Sequence, residues 1–175
     1  MAELEKQDFD NLVSRHSRQV LNTAQRLLQD ENAARDVHQE VFLAIWQRRK
    51  RYNSTVNWGG YLYRVTIRKA MDQIRTMKTF PTTGYQFDHL HSGEQSQPAS
   101  RAIAAETRQQ LSNCLGKLAD KQAEAFTLMR IEGLSYPEVA AIMECKEETV
   151  RVHLHRALKQ LAKLMHPYLE KGGHK

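Results

Sequence analysis

The stretch "EGLSYPEVAAIMECKEETVRVHLHRAL", Glu132 to Leu158, decides the fold. Ser135-Tyr136-Pro137-Glu138 is an S-x-x-E capping box with proline in the first helical turn, where its missing N–H costs nothing. Val139, Ala140, Ile142 and Met143 supply a short apolar face, and Glu144-Cys145-Lys146 makes a turn. The spacing of the next helix places Val150, Leu154, Leu158 and Leu161 on one inward stripe. Glu147, Glu148, Arg151, His155, Arg156 and Lys159 lie outside that stripe. Two short helices around a tight turn, with forked basic side chains outward, suit the DNA major groove. Arg pairs bidentately with guanine, and Lys or Arg neutralises phosphate. A plain helical hairpin with a solvated charged face shares the periodicity; the capping box, short turn and apolar spacing together favour DNA binding.

The rest of the chain is compatible with a nucleic-acid partner. Its 175 residues carry 26 Lys and Arg against 20 Asp and Glu, a net charge of +6. Such a balance favours a polyanionic partner without proving one. The charge is unevenly placed. Arg48, Arg49, Lys50, Arg51, Arg64, Arg68, Lys69, Arg75 and Lys78 face only Asp72, whereas the leading segment is acidic, with Glu3, Glu5, Asp8 and Asp10. Hydrophobic residues at 41% and charged residues at 26% describe an ordinary globular chain. The two cysteines, Cys114 and Cys145, make no disulfide framework or metal pair and read as small apolar residues. The polar N-terminus does not read as a signal peptide, and no apolar run approaches membrane-spanning length. Both H-x-H pairs, His89/His91 and His153/His155, lack an evident third ligand. No cofactor, metal site or catalytic constellation is expected, and the chain reads as a cytoplasmic non-enzyme.

Periodicity predicts an all-α fold of two small helical domains. Leu12, Val20, Leu21, Ala24, Leu27 and Leu28 recur at helical spacing. A second helix runs from about Ala33 to Arg48, with Asn32 or Asp30 as N-cap. Asn53-Ser54-Thr55 and Gly59-Gly60 punctuate the next section, and a third helix runs from about Tyr61 to Lys78. The expected division is a helical domain over 1–79, a polar Gly/Ser/Pro-containing linker over 80–99, a helix-turn-helix domain over 100–169 and a tail over 170–175.

Two further patterns carry chemistry. In "NAARDVHQEVFLAIW" (Asn32 to Trp46), Val37, Val41, Ala44 and Ile45 form the expected buried stripe, while Asp36, Gln39, Glu40 and Leu43 share another face. By itself that face could be an ordinary solvated one. In "WGGYLYRVTIRKAMDQIR" (Trp58 to Arg75), aromatics at Trp58, Tyr61 and Tyr63, with Tyr52 just before, interleave with Arg64, Arg68, Lys69 and Arg75. Cations attract a phosphate backbone and aromatic faces stack unpaired bases. Leu62, Val65 and Tyr63 read as core.

Together these residues resemble bacterial RNA polymerase sigma factors, and the short extracytoplasmic-function (ECF) group most of all. "EGLSYPEVAAIMECKEETVRVHLHRAL" looks like their promoter-reading helix-turn-helix, and "LADKQAEAFTLMRI" (Leu118 to Ile131) like the helices that lead into it. The resemblance implies that Lys146, Glu148, Thr149, Arg151, Val152, His155, Arg156 and Lys159 meet the −35 promoter element, and that this domain touches the polymerase β flap. Asp36, Gln39 and Glu40 match a D-x-x-Q-E pattern that docks on the β′ clamp helices, with Leu43 as a neighbour. Tyr52, Trp58, Tyr61, Arg64, Arg68, Lys69 and Arg75 are expected at the −10 element, where promoter DNA is melted. Arg68 stands where relatives often carry a small polar residue, and His153 where they often carry a basic one. The implied partners are core RNA polymerase, promoter DNA and an anti-sigma factor, the last often membrane-bound. A conventional dimeric helix-turn-helix regulator, or a decoy that binds polymerase without reading promoters, leaves one or more of these motifs unused.

Overall fold

The computed structural model describes residues 6–52, 56–77 and 98–172. The described residues form seven α-helices and no strand. Most of the expected linker, the Asn53-Ser54-Thr55 break and residues 173–175 of the tail lie outside the described residues.

The N-terminal helices are α1 (Lys6–Leu28), α2 (Glu31–Gln47) and α3 (Trp58–Met77), with a 3-10 turn at Arg49–Arg51 between the last two. Asp30 caps α2: its carboxylate accepts from the Ala33 N–H at 2.8 Å. An Asp at this position satisfies an orphan donor and complements the helix dipole. Gly59 and Gly60 were expected to break the chain but lie in the first turn of α3. The Asn57 side chain accepts from the Gly60 N–H at 3.3 Å, doing the work of a cap. Glycine at position 60 also has a packing reason, since a Cβ there would stand 3.2 Å from the Ile142 side chain.

The three helices close on Leu12, Val20, Leu27, Val37, Val41, Ile45, Leu62 and Met71, all buried. Burying each such Leu or Ile side chain contributes about 1.5–3 kcal/mol before the entropy of ordering it. Two details depart from the expected stripes. Phe42, not Ala44, completes the buried face of α2, and Leu21 is only half-buried.

The C-terminal helices are α4 (Pro98–Leu115), α5 (Asp120–Phe126), α6 (Tyr136–Met143) and α7 (Glu147–Gly172). Helix α4 starts inside the expected linker, with proline at its first position, and α7 extends into the expected tail. Helix α7 packs on α4, α5 and α6. Its buried stripe is Val150, Leu154, Ala157 and Leu161, while Leu158, expected inside, is exposed. The i, i+4, i+7, i+11 spacing follows the 3.6-residue turn more closely than four leucine-sized positions do.

Between α5 and α6 the chain widens into a π-helical turn, Thr127–Ile131, in which the Glu132 N–H donates to the Thr127 carbonyl at 2.9 Å. Gly133 then takes φ +74°, a left-handed conformation that glycine adopts without strain. Glu138 reaches back to accept from the Ser135 hydroxyl at 2.6 Å and from the Ser135 N–H at 2.8 Å, and these two bonds, the hydroxyl's first, hold its carboxyl below the usual carboxylate range. That is the capping box read from the sequence. Helix α6 stops at Glu144, in the left-handed region at φ +54°, and its N–H bonds the Ala140 carbonyl.

The two sets of helices are packed together. One face of α3 lies against α5 and α6, and α4 touches both α1 and α3. The apolar core therefore runs through both halves.

Candidate functional site

Asp36, Gln39, Glu40 and Leu43 are all exposed on α2, opposite Val37, Val41 and Ile45. Leu43 is 55% exposed, an apolar side chain set among polar ones, which is the composition of a docking face. The Glu40 carboxylate accepts from Lys69 Nζ at 2.7 Å and so ties this face to α3. Both partners are substantially exposed, and solvent leaves such a pair little net stability.

The aromatic residues expected near single-stranded DNA form one edge-to-face cluster. Tyr52 lies 5.0 Å from Trp58 and 5.6 Å from Tyr61, and Trp58 lies 5.8 Å from Tyr61, centroid to centroid. The Tyr52 and Tyr61 hydroxyls are 2.8 Å apart. The cluster is half-buried against the core, so its rings are held rigidly with part of their surface in solvent.

Arg64, Arg68 and Arg75 fall at i, i+4 and i+11 and form one basic line along α3. Arg68 is exposed. The other two are engaged by the C-terminal half. Arg64 donates to Glu144 at 2.8 Å. Arg75 donates to the Gly116 carbonyl at 3.0 Å, the Leu118 carbonyl at 3.1 Å and the Asp120 carboxylate at 2.9 Å. The expected −10 set is therefore divided: aromatics clustered, Arg68 open, Lys69 on Glu40, and Arg64 and Arg75 holding the other half.

The third surface is the outer face of α7. Lys146, Glu148, Thr149, Arg151, Val152, His155, Arg156 and Lys159 are all exposed. All but Lys146, which ends the preceding turn, lie on the side of α7 away from Val150, Leu154, Ala157 and Leu161. Val152 is 46% exposed, an apolar contact of the kind a thymine methyl accepts. The Arg151 guanidinium lies over the Tyr136 ring, 4.2 Å from its centroid, with Glu147 at 3.5 Å. A cation–π contact of this sort fixes the orientation of an exposed guanidinium. His153, on the edge of the face, is kept below the usual imidazole range by burial, with Arg156 and Lys121 acting in the same direction.

Reading the sequence had missed Thr23, Arg26, Ser112, Glu132 and Tyr136. The Glu132 carboxylate accepts from Thr23 Oγ1 at 2.9 Å and Arg26 Nη1 at 2.8 Å, and its side chain is only 6% exposed. Ser112 Oγ donates to the Leu27 carbonyl at 2.6 Å in a buried bond between α4 and α1. The one sequence signal for Tyr136 is an aromatic residue inside the capping box.

Comparison with known proteins agrees with both halves. The family model "Sigma-70 region 2" matches residues 12–79, and "Sigma-70, region 4" matches residues 108–161. The chain is 26% identical over 177 residues to the RNA polymerase sigma-H factor of Pseudomonas aeruginosa, covering 96% of this chain and 91% of that one. It is 26% identical over 171 residues to the ECF RNA polymerase sigma-E factor of Escherichia coli, covering 93% and 89%. Two solved structures share the fold. CnrH, in complex with the cytosolic domain of CnrY, has a TM-score of 0.57 at 23% identity, covering 93% of this chain and 90% of that one. The sigma factor RpoE, in complex with the anti-sigma factor NepR from Bartonella quintana, has a TM-score of 0.53 at 20% identity, covering 90% and 96%. With the two sigma regions in order along one helical chain, this protein belongs to the sigma-70 family of RNA polymerase sigma factors, in its extracytoplasmic-function group.

Proposed function

We propose that this sigma factor divides its work among the three surfaces described above. The α2 face, with Asp36, Gln39, Glu40 and Leu43, docks on the β′ clamp helices of core RNA polymerase. The aromatic cluster and the basic line of α3 take the −10 element. The outer face of α7 reads the −35 duplex, and the helix-turn-helix half also meets the β flap.

The observation that carries this reading is the exposed α2 face. Three polar residues in the D-x-x-Q-E pattern share a helix face with an apolar Leu43 left in solvent. A merely solvated face has no need of that leucine. On α3, cations attract the phosphate backbone and a ring face stacks a base drawn out of the duplex. Holding that base stabilises the open state, so the melting equilibrium shifts without a separate energy source. On α7, Arg151 and Arg156 supply bidentate or phosphate contacts. Two weak DNA contacts joined in one chain add at a fixed promoter spacing.

The protein acts in the cytoplasm on this reading. Among the described residues no helix is long and apolar enough to cross a membrane. An anti-sigma factor is the proposed regulator, by analogy with the complexes in which related structures were solved.

Run-off transcription with purified core polymerase on a promoter library tests the assignment. Promoter-specific transcripts are expected only when the protein is added. Asp36→Arg is expected to abolish polymerase binding with the helical fold intact. Unchanged polymerase affinity in that variant would remove α2 from the docking surface.

A further inference from the structure

The outer face of α7 is rich in charge, yet the residue at its centre is a valine. Val152 stands two positions from Val150 and two from Leu154, both buried. At about 100° per residue that spacing puts it roughly 160° round from each, opposite the buried stripe of the helix. Glu148 and Arg156 lie one turn before and after it, and Thr149 and His155 three residues away on either side; all four are exposed. The two sequence neighbours of Val152 are turned aside. Arg151 leans back on the Tyr136 ring of α6, 4.2 Å from its centroid, with Glu147 at 3.5 Å. His153 is half-buried, close enough to Lys121 and Glu124 of α5 for their charges to act on its ring. A groove floor that approaches this helix head-on therefore finds an isopropyl group at the middle of the contact, ringed by longer polar side chains. Single exposed valines are ordinary on a surface. At 46% exposure, however, this one adds little to the core, and a β-branched side chain lowers helix propensity, so its use lies outward.

We infer that Val152 is a specificity-determining residue of the −35 contact, selecting one thymine, on either strand, by its C5-methyl group. The major-groove edges of guanine, adenine and cytosine present acceptors and amino donors. An isopropyl group pressed on any of these strips water from a polar atom and returns no hydrogen bond. The thymine methyl is the one apolar group that the groove floor offers. Burying that methyl against the valine favours thymine by about fourfold, the worth of one methyl-sized group. Arg156 and Lys159 attract the phosphate backbone of any sequence, whereas the valine attracts none. Its whole contribution is therefore discrimination between bases.

This inference rests on the assignment of α7 to the −35 duplex, and one experiment separates the two. The full chain, with purified core polymerase, is used as wild type, Val152→Ile and Val152→Ser. Isoleucine keeps an apolar contact, and serine offers a hydroxyl that bonds donors and acceptors alike. Each chain transcribes the same promoter library, and the promoters used are sequenced. Wild type and Val152→Ile should share one −35 position at which thymine is preferred; Val152→Ser should accept other bases there. On the best wild-type promoter, deoxyuridine in place of that thymine removes the methyl alone. It should weaken binding about fourfold for the wild-type complex and leave the Val152→Ser complex unaffected. With cytosine placed at the same position, 5-methylcytosine should bind wild type more tightly than cytosine does. Identical base preferences in wild type and Val152→Ser, or equal wild-type binding of the thymine and deoxyuridine duplexes, overturns the methyl contact. The −35 assignment survives that result if Arg151→Ala with Arg156→Ala still loses the site. Loss of transcription from every promoter by Val152→Ser, with helical content kept, would make the valine a general docking contact and also overturns the inference. If the promoters used by wild type share no −35 sequence, the −35 assignment itself fails, and the inference with it.

Discussion

Helices α3 and α7 both carry arginines outward, yet the fold treats them in opposite ways. Helix α7 has neighbours on one side only, so Arg151, Arg156 and Lys159 point into solvent. Helix α3 is wedged between two halves: Leu62 and Ala70 are buried on one stripe, Ile67 and Ile74 on another. Arg64 and Arg75 sit on the rim of the second stripe and are drawn into contacts across it. The same residue type thus points outward from one helix and straps the two halves together on the other. The deciding variable is how many sides of the helix are covered.

The largest effect expected from breaking this contrast is on α7. Arg151→Ala with Arg156→Ala removes two outward cations that have few protein partners to lose. Each base contact is worth about 1–3 kcal/mol, so −35 duplex affinity should fall by a factor on the order of hundreds, with helical content unchanged. A footprint at −35 equal to wild type would remove α7 from the role.

Next comes the covered side of α3. Gly116→Ala adds a methyl where Ile74 already stands, and overpacking of this kind costs about 1–3 kcal/mol. Chemical denaturation should show lower stability, with the two halves unfolding less cooperatively. An unchanged transition would mean that the halves are not in contact in solution.

A smaller effect separates orientation from contact on α7. Tyr136→Ala removes the ring under Arg151 and should weaken −35 binding by about 0.5–1 kcal/mol, the usual worth of an exposed cation–π pair. Tyr136→Phe keeps the ring face and should restore most of it. If Phe is as weak as Ala, the hydroxyl rather than the ring matters.

The smallest expected effect is a pH dependence in the N-terminal half. His38 hydrogen-bonds Ser17 Oγ at 2.7 Å and lies edge-on to Phe42, and burial lowers its pKa. The unfolded chain then binds more protons than the folded one in the window below the ordinary imidazole value. Stability from this site is complete above that value and is lost as pH falls through the lower folded one. His38→Gln should flatten the slope of unfolding free energy against pH there. An identical slope would assign the dependence elsewhere, with His153, also lowered by burial, the next group to replace.

Much of the architecture was legible because helical signals are local. The α2 cap, narrowed to Asn32 or Asp30, the Ser135–Glu138 box and most of the apolar spacing of α1, α2 and α7 each need only a few neighbouring residues. The exposed sets on α2 and α7 were legible for the same reason: once a buried stripe is known, the opposite face follows. The departures share a cause. Gly59-Gly60 read as a break because glycine usually marks one, but Asn57 caps the turn and Ile142 needs the space. Leu158 read as core from residue type, while the helical phase put the smaller Ala157 there instead.

By itself, then, the sequence determined the all-helical class, the capping box, most of each apolar stripe and the order of the two sigma regions. Only the tertiary structure decided which charges meet. Arg64 and Glu144 are 80 residues apart, and Thr23 and Glu132 are 109 apart. No periodicity spans such distances. A side chain's helical phase is set by its neighbours in sequence, but its ionic partner is set by whichever surface packs against that phase.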